Sequence, residues 1–279
     1  MSVKQLKKAL LARAVANRFV QEFLEKRIRR LQWLSGIGSG GNVRSSGEKA
    51  LCNRLRHLER PPYCIFDVGA NKGEFAALIL SCLRDKEIAS IHCFEPAKAA
   101  FLALEKNINR GSLVTLNNIG LGKTAGEFEL FYDFAGSGTA SLTKRNLDHL
   151  DVDFSQSEKV RIDTLDNYCS EKNLERIDLL KIDVEGHELD VLQGSSKMLK
   201  DDRIVMVSFE FGGCNIDTRT FFRDFYCFFR DYGFRLYRLT SGGYAYALPS
   251  YKEIYEQFRT TMFIAIGQAR VEKCSHSKR

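Results

Sequence analysis

The stretch Cys64-Ile65-Phe66-Asp67-Val68-Gly69-Ala70-Asn71-Lys72-Gly73 decides the fold of this chain. An apolar run that ends at an acid and is closed by glycine reads as a buried strand. Gly69 and Gly73, four residues apart, then turn the backbone into a helix carrying Phe75, Leu78 and Ile79. Such a turn offers free N–H groups and no side chain, so an adenosine-type ligand can lie against it. The spacing is G-x-x-x-G rather than the G-x-G-x-x-G of dinucleotide sites. Roughly 20 residues on, Cys93-Phe94-Glu95-Pro96 places an acid where a doubly wound fold grips ribose hydroxyls. Turn and acid together point to an S-adenosylmethionine site.

Outward from this core, strands and helices alternate. A helix over 48–58 precedes Pro61-Pro62, and strands are expected at 64–68, 90–94, 113–116, 178–182 and 204–209. Residues 126–132 alternate as one strand of an inserted hairpin. Phe221, Phe222, Phe225, Phe228 and Phe229 belong to a last helix that Gly233 stops, before strands at 234–239 and 261–266. The alternation predicts an α/β, doubly wound, Rossmann-like sheet of about seven strands, the last antiparallel. Three segments follow: a basic helical extension with a Gly-rich loop (1–46), the main domain (47–268) and a basic, disordered tail (269–279).

The chain of 279 residues is 44% apolar, enough for one sizeable core. The net charge of +7 is local: residues 1–30 hold nine of the 42 basic and two of the 35 acidic residues, which leaves 33 of each elsewhere. A neutral body argues against nucleic acid as a partner. Eight cysteines form no C-x-x-C pair and read as buried thiols of a reducing cytoplasm, with no structural zinc. Residues 3–34 have helical periodicity. Three readings stand for them: a helix docked on the domain, peripheral contact of residues 1–34 with an anionic membrane surface, or a transit peptide. The Gly-rich segment 36–41 is either a linker or a loop over the site.

Lys181-Ile182-Asp183-Val184-Glu185-Gly186-His187-Glu188, taken with Phe66-Asp67-Val68-Gly69-Ala70-Asn71, Arg161-Ile162-Asp163-Thr164-Leu165-Asp166 and Ser46-Gly47-Glu48, resembles the FkbM family of S-adenosylmethionine-dependent methyltransferases. The resemblance runs from about Ile37 to Gly267 and implies a class I methyltransferase fold. It implies a methyl donor and an O-methylated sugar or small metabolite, with the acceptor unspecified.

On this reading Asp67, Gly69, Asn71, Gly73, Glu95 and Asn118 hold the cofactor: Asp67 near the turn or the donor's amino group, Glu95 on the ribose, Asn118 at the adenine edge. Asp67 and Asn118 have plain turn chemistry as the alternative. Asp183, Glu185 and His187 lie at the rim where open α/β sheets bind ligands, and are the candidates for removing the acceptor's proton. Asp183 and Glu210, on neighbouring strand ends, resemble the metal-holding acids of catechol-type O-methyltransferases, which would admit Mg2+ or Mn2+. A nicotinamide oxidoreductase would need a third glycine after the first strand. A nucleic-acid methyltransferase would show a different segment in place of Asp183-Val184-Glu185-Gly186. A catalytically silent docking module is the alternative from another class; the retained Asp67, Gly69, Glu95 and Asp183 speak against it.

Overall fold

The computed structural model describes residues 2–108 and 111–268; the basic tail lies outside them. In chain order the elements are α1 (Val3–Ala14), α2 (Arg18–Leu34), α3 (Lys49–Leu58), β1 (Tyr63–Val68), α4 (Glu74–Cys82), β2 (Ile88–Phe94), α5 (Lys98–Asn107), β3 (Val114–Asn117), β4 (Gly120–Leu121), β5 (Gly126–Tyr132) and β6 (Gln156–Asp163). Then come α6 (Leu165–Glu171), β7 (Ile177–Ile182), α7 (Glu188–Gln193), α8 (Ser196–Lys200), β8 (Ile204–Phe211), α9 (Cys214–Asp217), α10 (Phe222–Asp231), β9 (Phe234–Leu239), β10 (Ala245–Ala247) and β11 (Thr261–Gly267).

The main sheet has the order β10-β9-β11-β8-β7-β1-β2-β3. The run from β8 to β3 is parallel, and β11 enters antiparallel between β8 and β9. The final strand is thus antiparallel, as the sequence suggests. The eighth strand, β10, has only three residues and none of them is buried, so it carries no pattern to read. Strand order reverses beside β1, so the loops after β1, β2 and β7 meet at one end of the sheet, where open α/β folds bind ligands.

Successive residues of β1 point to opposite faces. Phe66 and Val68 join a core with Phe94, Leu180, Val207 and Phe209. Tyr63 and Ile65 join a second core with Ile91, Leu179 and Val205. Helix α10 buries Phe222, Phe225 and Phe229, and the last two stack on Phe209 at ring distances of 5.0 and 5.2 Å. Each such burial contributes about 1.5–3 kcal/mol. Phe221, expected inside this helix, precedes it and is exposed.

The inserted hairpin is more than a hairpin. β5 pairs antiparallel with the distant β6, and β4 pairs parallel with β6, making a separate three-stranded sheet. The connection from β5 to β6 is therefore long and free to travel across the molecule.

Residues 3–34 form two helices rather than one. Asn17 interrupts them, its Oδ1 accepting from the Val20 N–H at 3.0 Å, because a short polar side chain caps a helix better than it continues one. No residue of α2 is buried, and its ties to the domain are polar ones at its last turn, where Gln32 bonds to Gln257 and Arg259. The Gly-rich segment is no free linker: a Cβ on Gly36 would lie 2.4 Å from the Leu239 carbonyl oxygen, and the Gly40 N–H donates to the Thr260 carbonyl. No helix among the described residues is long and apolar enough to cross a membrane.

Candidate active site

A cleft of about 800 Å3 opens at the ends of β1, β2, β7 and β8. Its floor is the turn from β1 to α4. Gly69, Asn71 and Gly73 have φ of +79, +46 and +89°, so the chain doubles back tightly before α4. The expectation of free N–H groups here needs correction. Gly69 and Ala70 both donate to the Phe94 carbonyl at 3.0 Å, Asn71 donates to Glu95 Oε2 at 2.8 Å, and Gly73 donates to the Ala70 carbonyl. The turn thus offers a surface without side chains more than a set of donors.

Glu95 follows β2 and is 7% exposed. Its Oε1 accepts from the Ala97 N–H and its Oε2 from the Asn71 N–H, both at 2.8 Å, leaving one lone pair on each oxygen. Asn118 Nδ2 donates to the Glu95 and Pro96 carbonyls at 2.9 and 3.1 Å. Asn118 is not among the residues that line the cleft.

Asp67 is fully buried and also outside the lining. It lies 3.3 Å from the Lys181 ammonium, which is 3.4 Å from Asp183 and stands over the Phe75 ring at 5.4 Å. Burial raises the Asp67 carboxyl above its ordinary value, against the pull of Lys181. Glu48, just before α3, is the carboxylate of this cluster that does line the cleft together with Asp183. It is 2% exposed; Ser46 Oγ donates to its Oε2 at 2.6 Å, and its Oε1 has no partner. Two carboxylates therefore pair with the Lys181 ammonium, and the charge of Glu48 acts on it as well.

Glu48 and Glu95 are each pushed up to about 7, mainly by burial. Their ordinary value is 4.5. The folded protein thus holds these protons more tightly than the unfolded chain, and the stability they contribute is full below about pH 4.5 and drains as pH rises through about 7. Thermal melts should show the ligand-free protein losing stability across that window, with a shallower loss in Glu48→Gln. A stability that rises there in both would contradict it.

The rim after β7 is a sharp turn, with Glu185 at φ +53° and Gly186 at +106°. Glu188, fully buried, fixes it by accepting from the Val184 and Gly186 N–H groups at 3.1 and 3.0 Å. Helix α7 starts at Glu188, so His187 precedes the helix. The imidazole is held between Thr143 Oγ1 at Nε2 (3.0 Å) and Asp190 Oδ2 at Nδ1 (2.7 Å). Glu185 accepts from Arg145 Nη1 at 2.7 Å, and Arg145 Nε reaches Asp217 at 3.2 Å. Ser141 Oγ donates to the Glu185 carbonyl at 2.8 Å. Ser141, Thr143 and Arg145 all come from the β5–β6 connection, which is thus a strap tied across the cleft.

Glu210 lies within β8, one residue before its end, and lines the cleft 7% exposed with no hydrogen-bond partner among the described residues. Burial and the charges of Asp183 and Glu185 raise it well above the carboxylate range. Among the described residues no group of three or more His, Cys, Asp and Glu side chains is arranged to hold a metal ion. Asp183 is turned to Lys181 and Glu210 stands without a second acid arranged beside it to share an ion, so the pair expected for Mg2+ or Mn2+ is not assembled among the described residues.

The structure brings Gly69, Asn71, Glu95, Asp183, Glu185, His187 and Glu210 to one cleft. Sequence reasoning gave no role to Glu48, Lys181 or Arg145. Lys181 carried a signal, since a lysine at the end of a buried run must find acids. Arg145 sits in irregular sequence and carried none.

A model of the methyltransferase FkbM domain matches residues 67–236. The chain is 31% identical over 162 residues to the 2-O-methyltransferase NoeI of Sinorhizobium fredii, covering 54% of this chain and 65% of that protein. It is 26% identical over 169 residues to the hexuronic acid methyltransferase AglP of Haloferax volcanii, covering 60% and 64%. In both, the match spans less than two thirds of the relative's length. A crystal structure of a methyltransferase FkbM from Methylobacillus flagellatus aligns over 86% of this chain and 60% of its own, at 13% identity and a TM-score of 0.44.

Proposed function

Because the chain belongs to the FkbM methyltransferase family, we propose that it transfers a methyl group from S-adenosylmethionine to a hydroxyl oxygen of a carbohydrate or small metabolite. The observation that carries this is the convergence of the Gly69–Gly73 turn, Glu95 and Asp183 on one cleft at the ends of adjacent parallel strands. A carbohydrate acceptor draws support from the relative named for hexuronic acid. When bound, the cofactor supplies a sulfonium-activated methyl group open to in-line displacement by oxygen.

The residues fit that cofactor. Two acceptor atoms at the cleft, Glu48 Oε1 and Asn71 Oδ1, have no partner within the protein, and the ligand brings an ammonium, an amino group and two ribose hydroxyls. Glu95 keeps a lone pair on each oxygen for the ribose. The backbone of Gly69 and Ala70 forms a flat wall for the adenosine. Glu48 is placed to accept from the ammonium, the role that Asp67, behind the wall, is not placed to take. Asp183 and Glu185 face the acceptor, and Asp183 takes the proton from its hydroxyl. Arg145 and Thr143 of the strap hold Glu185 and His187 in position.

Calorimetric titration with S-adenosylhomocysteine, followed by transfer of labelled methyl groups to a glycan and metabolite pool, tests the reading. Single-site binding and label on oxygen are expected; no binding would end it. Glu48→Gln should weaken S-adenosylhomocysteine by about tenfold or more, since an ammonium bound to a carboxylate exceeds one bound to an amide. It should leave 5′-methylthioadenosine, which lacks the amino-acid end, unchanged. Equal losses for both ligands would make Glu48 a structural residue only.

A further inference from the structure

The amphipathic helix α2 is unexplained by the cleft chemistry, and its exposure is unusual. Phe19 is 80% exposed, Leu31 65%, Leu34 57% and Ile28 52%, and no side chain of the helix is buried. Single exposed apolar residues are ordinary; several on one helix mark a surface meant to be covered. At 3.6 residues per turn, Phe19, Val20, Phe23, Leu24, Ile28, Leu31 and Leu34 fall on roughly one half of the circumference. Glu22 and Glu25 fall on the other half. Arg27 and Arg30 share the apolar side, and the Arg27 guanidinium rests over the Phe23 ring at 5.0 Å.

We propose that α2 docks on an anionic lipid surface, with Phe19, Phe23 and Leu31 among the acyl-chain ends and Arg27 and Arg30 at the phosphates. Charge selects this occupant. Residues 1–30 carry the whole +7 excess of the chain, while the remainder is balanced. A second copy packed helix to helix would bring two such segments together, whereas an anionic bilayer neutralises them. Long basic side chains that keep their stems on apolar surface and their heads at the interface suit that boundary.

The tether of α2 gives the docking a direction. Arg259 Nη1 donates to Gln32 Oε1 at 2.7 Å, and Arg238 Nε donates to the Ser35 carbonyl at 3.0 Å, fixing the end of the helix to the body. Arg259 lines the cleft, as do Gly40 and Gly41 a few residues past the helix. A bilayer on α2 would lie close to the cleft mouth, so an acceptor hydroxyl displayed on a membrane-bound carrier comes within reach. That last step rests on the methyl-transfer reading; the docking itself does not.

The test is sedimentation of the full chain with phosphatidylcholine vesicles, alone or mixed with phosphatidylglycerol, at low and high salt. Binding to the anionic vesicles at low salt is expected, with release at high salt and no binding to the neutral ones. Arg27→Glu with Arg30→Glu, or Phe19→Ser with Phe23→Ser, should each reduce partitioning by more than about tenfold. Thermal melts should match the unaltered protein, since no α2 side chain is buried. Absence of binding to anionic vesicles would overturn the proposal. So would binding that neither pair of substitutions weakens, or a dimer by light scattering that those substitutions dissolve while vesicles are ignored.

Discussion

Asp183→Asn is expected to lower the rate of methyl transfer by about 10²–10⁴-fold while leaving S-adenosylhomocysteine affinity nearly unchanged. A sugar hydroxyl is a poor nucleophile at neutral pH, so a positioned proton acceptor at the point of attack carries much of the rate. Asp183 follows β7 directly. Its N–H is fixed on the Val68 carbonyl at 3.0 Å, and its carboxylate, 30% exposed, is oriented by Lys181 at 3.4 Å. Asparagine keeps the size and one acceptor oxygen but cannot take the proton. Glu210 is the rival on the neighbouring strand, yet it has no hydrogen-bond partner among the described residues to orient it, and burial and neighbouring acids raise it above its ordinary value. Single-turnover assays with labelled cofactor, paired with calorimetry, separate the roles. Full turnover by Asp183→Asn would remove it from the chemistry, and affinity falling in step with rate would reassign it to cofactor binding.

Gly69→Ala should destabilise the fold by about 3 kcal/mol or more, a loss large enough to shift a urea unfolding midpoint well outside error. The φ of +79° strains any residue with a Cβ, and here that Cβ would stand 1.8 Å from the Asp183 carbonyl oxygen and 2.8 Å from its carbon. Both are backbone atoms of the residue that follows β7 directly and is tied by its N–H to the Val68 carbonyl, so neither can yield without pulling the end of β7 from β1. Gly73 provides the contrast. Its Cβ would meet the side chains of Ile108 and Leu104 at 2.6 and 2.8 Å, which can rotate aside, and Gly73→Ala should cost about 1–2 kcal/mol. An unchanged midpoint for Gly69→Ala would refute the argument. A Gly69 variant that fails to bind the cofactor consequently reports on the fold before it reports on the ligand.

Local rules made much of this legible. The buried strand read at 64–68, the glycine turn, the acid after the second strand and the antiparallel last strand follow from apolar runs, turn residues and spacing. The cleft wall formed by Gly69, Asn71 and Glu95 was likewise visible, because each sits at a strand end. The roles within it were not. Glu48 is distant from the turn in sequence and reaches the cleft only because α3 packs beside α4. The free donors expected at the turn vanish because the Phe94 carbonyl and Glu95 accept from them, an arrangement set by strand register and invisible to composition. Asp67 moves from cofactor residue to buried partner of Lys181 for the same reason. The metal expectation treated Asp183 and Glu210 as two equal carboxylates, whereas Lys181 and burial make them chemically unlike.

The two sheets divide the labour of the cleft. The parallel sheet carries the glycine turn and Glu95 at the ends of β1 and β2, whereas the strap that reaches Glu185, His187 and Asp217 hangs from the small sheet of β4, β5 and β6. The side chains of Ser141, Thr143 and Arg145, with the Asn146 N–H, stitch one to the other at these points. On the proposed methyl-transfer reading, such a seam would make the acceptor side modular: exchange of residues 133–155 would reshape which hydroxyl is presented while the hydrogen bonds of the glycine turn, made to Phe94, Glu95 and Ala70, stay as they are. Diversification of acceptors within a lineage would then be written in the strap, while the glycine turn stays constant.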